Sequence, residues 1–206
     1  RYKGRLRPRN HYALGWLPRW GRLITTVPGL GSLVNVVGKA PGLGRLLRWG
    51  AGVDARRDIP RFANRSARSR MPAVPAGSKG RVLIWVDSFS DCFESNSFAA
   101  MVQVLVRLGY EPEVLKMNAC CGLTWISTGQ LDGARRQLAA AAAVLAPYVR
   151  DGVPIVGVEP SCTAVWRSDA PELLPLDANV AALDGAVLTL AEFLATDPDF
   201  RAPDLS

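Results

Sequence analysis

Histidine, cysteine and, over the first 80 positions, acidic residues are scarce in this sequence. The 206 residues include one histidine, His11, and four cysteines. A single histidine argues against histidine-rich metal sites and against catalytic triads that need a histidine in the second half of the chain. Four cysteines are too few for the disulfide framework of a small secreted protein. Hydrophobic residues form 49% of the chain, which is too many for a disordered protein.

Phosphate-binding glycine loops and long hydrophobic runs are also absent. The sequence contains neither G-x-G-x-x-G after a strand nor G-x-x-x-x-G-K-S/T. Residues 30–47 carry few charges, but glycines and prolines interrupt them, so they do not form a convincing membrane span. No apolar run precedes a small-residue cleavage site, as a secretory signal requires. Because the chain begins with Arg1, we expect a processed protein or a piece of a longer polypeptide.

Charge divides the chain into two parts. Residues 1–80 hold 17 Lys or Arg against two Asp, a net charge of +15, whereas residues 81–206 have a net charge of −8. All four cysteines lie in the acidic part, and a Pro- and Gly-containing segment at 71–80 separates the parts. We therefore predict a basic connector arm over 1–80 and an α/β domain over 81–206.

The basic arm is predicted to be mostly helical, with irregular segments between short helices. Leu, Val and Ile recur at three- and four-residue steps over 17–25, 29–38 and 42–50, which is the spacing of an amphipathic helix. Pro28 and Pro41 separate these helices, because proline cannot continue a helical hydrogen-bond ladder.

The sequence of the arm is compatible with more than one kind of binding partner. Trp16, Trp20 and Trp49 stand beside arginines. This pattern fits an arm whose arginines meet acidic groups of neighbouring domains, peripheral contact with an anionic membrane, or nucleic-acid binding by stacking. We favour the packing arm, keep membrane contact as the second interpretation, and expect no nucleic acid among the partners.

The acidic part alternates strands and helices. Apolar runs at 81–86, 111–117 and 153–159 have the length and burial pattern of strands in a parallel sheet. Helical spacing of apolar residues follows each of them, over 95–108, 130–149 and 179–196. This order predicts the α/β class: a small open parallel sheet with flanking helices, preceded by the basic arm.

Unusual residues follow the ends of all three predicted strands. Asp87 comes after the first strand, Cys120 and Cys121 after the second, and Ser161 with Cys162 after the third. Carboxyl ends of parallel strands share one edge of the sheet, so we expect these side chains to converge there. The glycine at position 122 is expected to supply a turn with positive φ beside the site.

Several chemistries suit cysteines at such an edge. Thiolates near helix starts can bind a soft metal, act as a redox dithiol or serve as a nucleophile. Zinc has little support, because there is no C-x-x-C pair and no second histidine. An iron–sulfur cluster fits Cys120, Cys121 and Cys162 better. The plain alternative is that the cysteines are small buried apolar residues, and this applies most strongly to Cys92.

Two segments resemble the cysteine-rich CCG domain of iron–sulfur oxidoreductases of the glycolate oxidase, lactate-utilisation and heterodisulfide reductase type. They are NACCGLTWISTGQLD at 118–132 and GVEPSCTAVWRSD at 157–169. The nearest likeness is to the C-terminal part of actinobacterial fusions of an FAD-linked oxidase domain, a ferredoxin-like module and tandem CCG domains. RLRPRNHYALGWLPRW at 5–20 and GVDARRDIPRFA at 52–63 resemble the connector in those fusions. The ferredoxin cysteines, the FAD domain and a second CCG repeat are absent from this sequence.

The resemblance implies that the parent protein oxidises a 2-hydroxy acid such as D-lactate or glycolate on FAD. Electrons would leave through iron–sulfur centres to a quinone or another carrier. Cys120, Cys121 and Cys162 match positions that hold a cluster of the 4Fe–4S type.

Two departures from the fuller motif leave three matching cysteines. Asp87-Ser88 stand where the family has a cysteine after the first strand, and Cys92 comes several residues late. Val165 takes the second place of a C-x-x-C after the third strand. The site would therefore be degenerate, recruit Cys92, or be completed by another domain.

We therefore predict an electron-transfer module of a flavin-dependent 2-hydroxy-acid dehydrogenase, with no catalytic acid or base assigned and no catalysis by the fragment alone. Its expected partners are FAD-oxidase and ferredoxin-like domains of the same or a partner chain and a second CCG domain. Its expected location is the cytoplasm, with contact at the inner face of the membrane through the arm. The alternative is a degenerate, cluster-free docking domain that packs on partner domains or on the membrane surface.

Overall fold

A four-stranded parallel sheet forms the centre of the molecule. The computed structural model describes residue 2, residues 5–93 and residues 96–201. The strands are β1 (Arg81–Trp85), β2 (Glu111–Val114), β3 (Ile155–Gly157) and β4 (Val187–Thr189), in the order β2-β1-β3-β4, and every neighbouring pair is parallel. The predicted α/β class with an open parallel sheet is confirmed.

Four short helices are described before the sheet. They are α1 (Arg9–Ala13), α2 (Leu17–Thr26), α3 (Leu30–Lys39) and α4 (Leu43–Ala51). Helices α2, α3 and α4 lie where the leucine and valine spacing predicted them. The chain then returns to the sheet through an extended segment that contains one 3-10 turn, Arg68–Arg70. Within the described ranges, no helix combines the length and apolarity that crossing a bilayer requires.

Eight helices are described around the sheet: α5 (Ser88–Cys92), α6 (Asn96–Arg107), α7 (Leu123–Ser127), α8 (Leu131–Arg150), α9 (Pro160–Val165), α10 (Asp169–Leu173), α11 (Ala178–Leu183) and α12 (Leu190–Ala195). Helices α6 and α8 match the predicted segments, although the first predicted position of α6, residue 95, lies outside the described residues.

Alternating side chains of the strands enter two separate cores. Leu83 and Ile155 face one core, which α8 and α11 cover, whereas Ile84 and Val156 face the other, which α6 and α12 cover. Because strand side chains point to opposite faces in turn, a continuous apolar run buries both faces of the sheet. This explains why β1 carries no polar residue after Arg81.

The predicted single helix over 179–196 is wrong. The structure divides this segment into α11, β4 and α12. Gly185 has a φ of 71°, a conformation that ends a helix and that residues with side chains rarely adopt. Helix α12 then restarts with a capping box, in which Thr189 and Glu192 each bond the other's backbone N–H.

The arm packs against the start of the α/β region rather than standing apart from it. Gly21 of α2 lies against the side chain of Cys92 in α5. The indole Nε1 of Trp16 donates a hydrogen bond of 2.9 Å to Gln130 Oε1. The N–H groups of Ala63 and Ala67 donate to the carbonyls of Cys92 and Asp91. The arm therefore borders the carboxyl edge of the sheet.

A candidate cysteine site at the carboxyl edge of the sheet

Three of the four cysteines meet at the carboxyl edge of the sheet. Strand β1 lies between β2 and β3, so the segments that leave these three strands are neighbours. The Cys121 thiol interacts with the thiols of both Cys120 and Cys162. All three residues are buried, with relative exposures of 8%, 3% and 2% for Cys120, Cys121 and Cys162. The predicted convergence of these residues is observed.

Two features fix the turn that carries Cys120 and Cys121: a hydrogen bond from Trp85 and the backbone conformation of Gly122. Trp85, the last residue of β1, donates from its indole Nε1 to the carbonyl of Ala119 at 2.7 Å. Gly122 has the expected positive φ, 75°, and its N–H points to Cys120 Sγ at 3.5 Å. A side chain at this position would strain the backbone, so the turn needs glycine.

Cys162 is held in the first turn of α9 by Glu159. The Glu159 carboxylate caps this helix by accepting from the Cys162 N–H at 2.8 Å, and it also accepts from the Ser161 hydroxyl. Burial opposes ionisation of Glu159, but these hydrogen bonds outweigh it and hold the pKa of Glu159 below its usual value. Ser161 therefore shapes the site through Glu159. Arg167 forms an ion pair with Glu192, at 2.6 Å, and not with Glu159.

Asp87 and Ser88 bring buried oxygen atoms to the same edge. Asp87 Oδ1 caps α5 by accepting from the N–H groups of Phe89 and Ser90, at 2.7 and 3.1 Å. Within the described ranges, no nitrogen or oxygen bonds its buried Oδ2 or the Ser88 Oγ, but the Ser88 hydroxyl interacts with the Cys120 thiol. Burial raises the pKa of Asp87, and its charge raises that of Cys162. Sequence reasoning placed Asp87 at the site but did not anticipate its role as a helix cap.

The environment favours protonated thiols. The neighbouring Cys121 thiol and burial raise the pKa of Cys120 well above its usual value. Cys120 lowers the pKa of Cys121, but the Cys162 thiol and burial outweigh that effect. For Cys162, contact with Cys121 is outweighed by burial and nearby negative charge, so its pKa is also raised. Binding of a metal would therefore displace protons from these thiols.

Cys92 lies apart from the other three cysteines. Its sulfur is 3.9 Å from the Thr25 hydroxyl, and its side chain also contacts Gly21. Cys92 therefore packs from the end of α5 against α2. Burial raises the pKa of Cys92 to about 12. The structure thus places Cys92 at the contact between the arm and the sheet domain, outside the group of three.

Tryptophan side chains border the group. Trp125 is 2% exposed and packs beside Cys120, whereas Trp166 is fully buried in the same core as Cys121 and Cys162. The rings of Trp85 and Trp166 meet edge to face, with centroids 5.7 Å apart. The tryptophans therefore form an apolar wall on one side of the thiols, which are largely shielded from water.

Thiols are the donors that an iron–sulfur cluster needs, but this edge has fewer of them than such a cluster commonly uses. Three thiols are present where four commonly hold a cubane cluster, and Val165, fully buried, occupies the position where the fuller motif has another cysteine. In the part of the chain that the structure describes, no three His, Cys, Asp or Glu side chains are arranged to hold a metal ion. A bound cluster would thus require the thiols to reorient or another donor to join them.

Residues of the arm also line the site, which sequence reasoning missed. A pocket of about 550 Å³ opens beside Cys120 and is lined by Arg19, Arg22 and Asn118. The Arg19 guanidinium lies over the ring of Trp125, 5.8 Å from its centroid. The i, i+3 spacing of the two arginines in a predicted helix was the available signal, because it places both on one side.

Comparison with known proteins finds distant similarity to one component of a dehydrogenase. The relatives include the C component of the anaerobic glycerol-3-phosphate dehydrogenase, from Escherichia coli K12 and from Escherichia coli O157:H7. Each is 25% identical over 150 residues, which cover 70% of this chain and 38% of the relative. The chain thus spans less than two fifths of the length of these relatives. No protein-family profile and no solved structure match it significantly.

Proposed function

We propose that the chain is an iron–sulfur electron-transfer module of a flavin-dependent dehydrogenase and part of a longer protein or assembly. The observation that carries this proposal is the convergence of Cys120, Cys121 and Cys162 at one sheet edge. The similarity to a dehydrogenase component supports it independently. FAD-oxidase and ferredoxin-like domains and a second CCG domain are the proposed partners.

The proposed substrate of the parent enzyme is a small anionic alcohol. The CCG resemblance favours a 2-hydroxy acid such as D-lactate or glycolate, and the curated relatives are named for glycerol-3-phosphate. These compounds share an oxidisable hydroxyl group and a negative charge. In this proposal the alcohol is oxidised on FAD outside this chain, and this chain only passes electrons on.

Cys120, Cys121 and Cys162 would act as thiolate ligands, whereas Cys92 packs against α2 and is not among them. A bound cluster of the 4Fe–4S type would supply one-electron transfer. Trp125 and Trp166 keep water from the thiols, and Arg19 and Arg22 line the adjacent pocket, where positive charge favours thiolates. Gly122 and Glu159 fix the backbone that carries the ligands.

Iron and acid-labile sulfide, measured in the intact protein prepared without oxygen, test the proposal. We expect Cys120→Ser and Cys162→Ser to lose most of the iron and the cluster's EPR signal, because each removes a sulfur from a set of three. Cys92→Ser is the matched control and should retain the iron, since Cys92 lies between α2 and α5.

A cluster-free docking domain is the second candidate function. It is favoured by Val165 at a ligand position and by the lack, among the described residues, of an arrangement ready for a metal. Colourless protein that contains no iron after reconstitution, yet still associates with its partner domains, would replace the electron-transfer proposal with this one.

We further propose that the arm contacts an anionic membrane surface at the cytoplasmic side. Large apolar side chains are exposed on α2, α3 and α4, among them Trp20, Leu23, Leu33, Val36, Leu46 and Trp49. The same arm carries a large excess of Lys and Arg. Exposed apolar side chains combined with positive charge are typical of interfacial helices.

Co-sedimentation with vesicles tests the membrane proposal. We expect binding to phosphatidylglycerol vesicles that weakens with salt and weakens further in Leu46→Ser and Trp49→Ser, because both remove apolar area from α4. Leu176→Ser is the control, since Leu176 is also exposed but lies beyond the arm. Equal binding to neutral and anionic vesicles would contradict the proposal.

A further inference from the structure

A cationic cleft lies beside the cysteine site. It has a volume of about 520 Å³ and is formed by α2, the segment 64–69 and the residues that follow β2. Four cations line it: Arg22, Arg65, Arg68 and Lys116. They come from three segments that are distant in sequence, so the fold itself brings these like charges together.

Most of the positive charge in the cleft is not paired with a carboxylate. The one carboxylate that the described residues bring to it is that of Asp91, which pairs with Arg68 at 2.7 Å. Among the described residues, Arg22, Arg65 and Lys116 have no ion-pair partner. The cleft thus has a formal net charge of +3.

Several donors in the cleft are free to bind a ligand. The free donors among the residues that the structure describes are those of Arg22, Arg65 and Lys116, because Arg68 Nη1 donates to the Met117 carbonyl, its Nη2 donates to Asp91 and its Nε is buried. The side-chain amide of Asn118 also lines the cleft and makes no hydrogen bond within the described part of the chain. The ion pair with buried Asp91 fixes Arg68, so this guanidinium is pre-organised.

We propose that this cleft binds a phosphate group. A carboxylate is planar and is satisfied by one arginine fork, whereas a tetrahedral dianion accepts from several cations that approach from different directions. Four cations around one concavity match the second case, and the volume lies in the range of small-ligand sites. The group is either a soluble phosphate or the headgroup of a lipid, since both present the same chemistry.

The cleft shares a wall with the pocket at Cys120. Arg22, Thr26 and Asn118 line both of them. A bound phosphate would therefore hold α2 and the residues after β2 together next to the cysteines. This inference does not require a cluster, so it stands or falls separately from the proposed electron transfer.

Calorimetric titration of the intact protein with inorganic phosphate, at constant ionic strength and with chloride as the reference, tests the site. We expect saturable binding that weakens about tenfold in Arg65→Gln and in Lys116→Gln, since each removes a charge-assisted hydrogen bond. Both side chains are exposed, so the fold should persist. Arg107→Gln, an exposed cation on α6 outside the cleft, is the matched control.

Vesicles distinguish the two sources of phosphate. If inorganic phosphate binds no better than chloride, stronger binding to phosphatidic acid than to phosphatidylglycerol vesicles of equal charge would assign the site to a lipid headgroup. That difference must vanish in both cleft variants. No binding of inorganic phosphate beyond chloride together with no preference for phosphatidic acid, or equal weakening by Arg107→Gln, would overturn the proposal.

Discussion

Arg68 and Asp91 join the arm to α5 through a buried ion pair. The guanidinium lies 2.7 Å from the carboxylate, and the Arg68 backbone N–H donates to the same side chain at 3.1 Å. The relative exposures of the two side chains are 13% and 3%. Removal of one partner from such a pair leaves the other charge desolvated and uncompensated.

We therefore expect Asp91→Ala to lower the free energy of unfolding by about 3 kcal/mol. Asp54→Ala is the control, because Asp54 pairs with Arg56 at the surface and its loss should leave stability unchanged. Urea unfolding of both variants at neutral pH measures the difference. Equal midpoints for the two variants would contradict the role assigned to the buried pair.

For individual residues, the sequence predicted where the cysteines meet but not which side chains surround them. Cys120, Cys121 and Cys162 follow strands, and parallel strands share an edge, so their convergence could be predicted. The cation of Arg22 reaches the same place from a helix about 100 positions earlier in the chain. The i, i+3 spacing of Arg19 and Arg22 places both on one side of α2, but it does not encode what that side contacts, because the contact depends on how the arm packs.

Helix α12 shows how a capping box responds to acid. The Arg167 guanidinium, together with hydrogen bonds from Thr189, lowers the pKa of Glu192 to about 2 from its usual 4.5. A lowered carboxylate pKa in the folded state adds stability above pH 4.5, and this stability is lost as the pH falls toward 2. Because the pair is partly exposed, salt should weaken it.

Arg167→Gln should therefore lower the urea midpoint at pH 6. Its difference from the wild-type protein should shrink below pH 4.5, because Glu192 becomes protonated first in the variant, where Arg167 no longer lowers its pKa. Parallel unfolding series at pH 6 and pH 3 measure this change. The interpretation would fail if the difference between the two proteins stayed constant across this range.

The same segment shows why element boundaries were harder to predict than element types. Val180, Leu183 and Val187 recur at helical spacing, so the pattern favoured one helix. The strand β4 has only three residues, too few to display an alternating pattern. The Asp184-Gly185 pair and the Thr189-x-x-Glu192 motif were the local signals of a break.

For the whole molecule, contact between the arm and the sheet domain decides whether they unfold together. A Cβ atom added to Gly21 would lie 2.9 Å from the Cβ of Cys92 and 3.0 Å from its sulfur. The close approach of α2 to α5 thus depends on glycine at this position.

We expect Gly21→Val to cost about 1–3 kcal/mol through overpacking. Gly50→Val should be nearly neutral, because nothing lies within 4 Å of the added Cβ of Gly50. Tryptophan fluorescence and far-UV circular dichroism should give coincident transitions in the wild-type protein and separate ones if Gly21→Val detaches the arm. If Gly21→Val unfolds like Gly50→Val, α2 does not depend on this contact.

The division at residue 80 remains a prediction at this scale. The change of charge and the segment 71–80 indicate it in the sequence, and hydrogen bonds from Ala63 and Ala67 to α5 cross it. Charge composition reports what a segment contains, whereas packing between segments depends on shape, which composition does not encode.

The indole of Trp85 contacts the segments that follow both β2 and β3. Trp85 ends β1, holds the turn after β2 through its hydrogen bond to Ala119, and meets Trp166 in the segment after β3. Strain or loosening at this side chain would reach all three exits of the sheet at once. The positions of the three thiols are therefore coupled, because one side chain supports the segments that carry them.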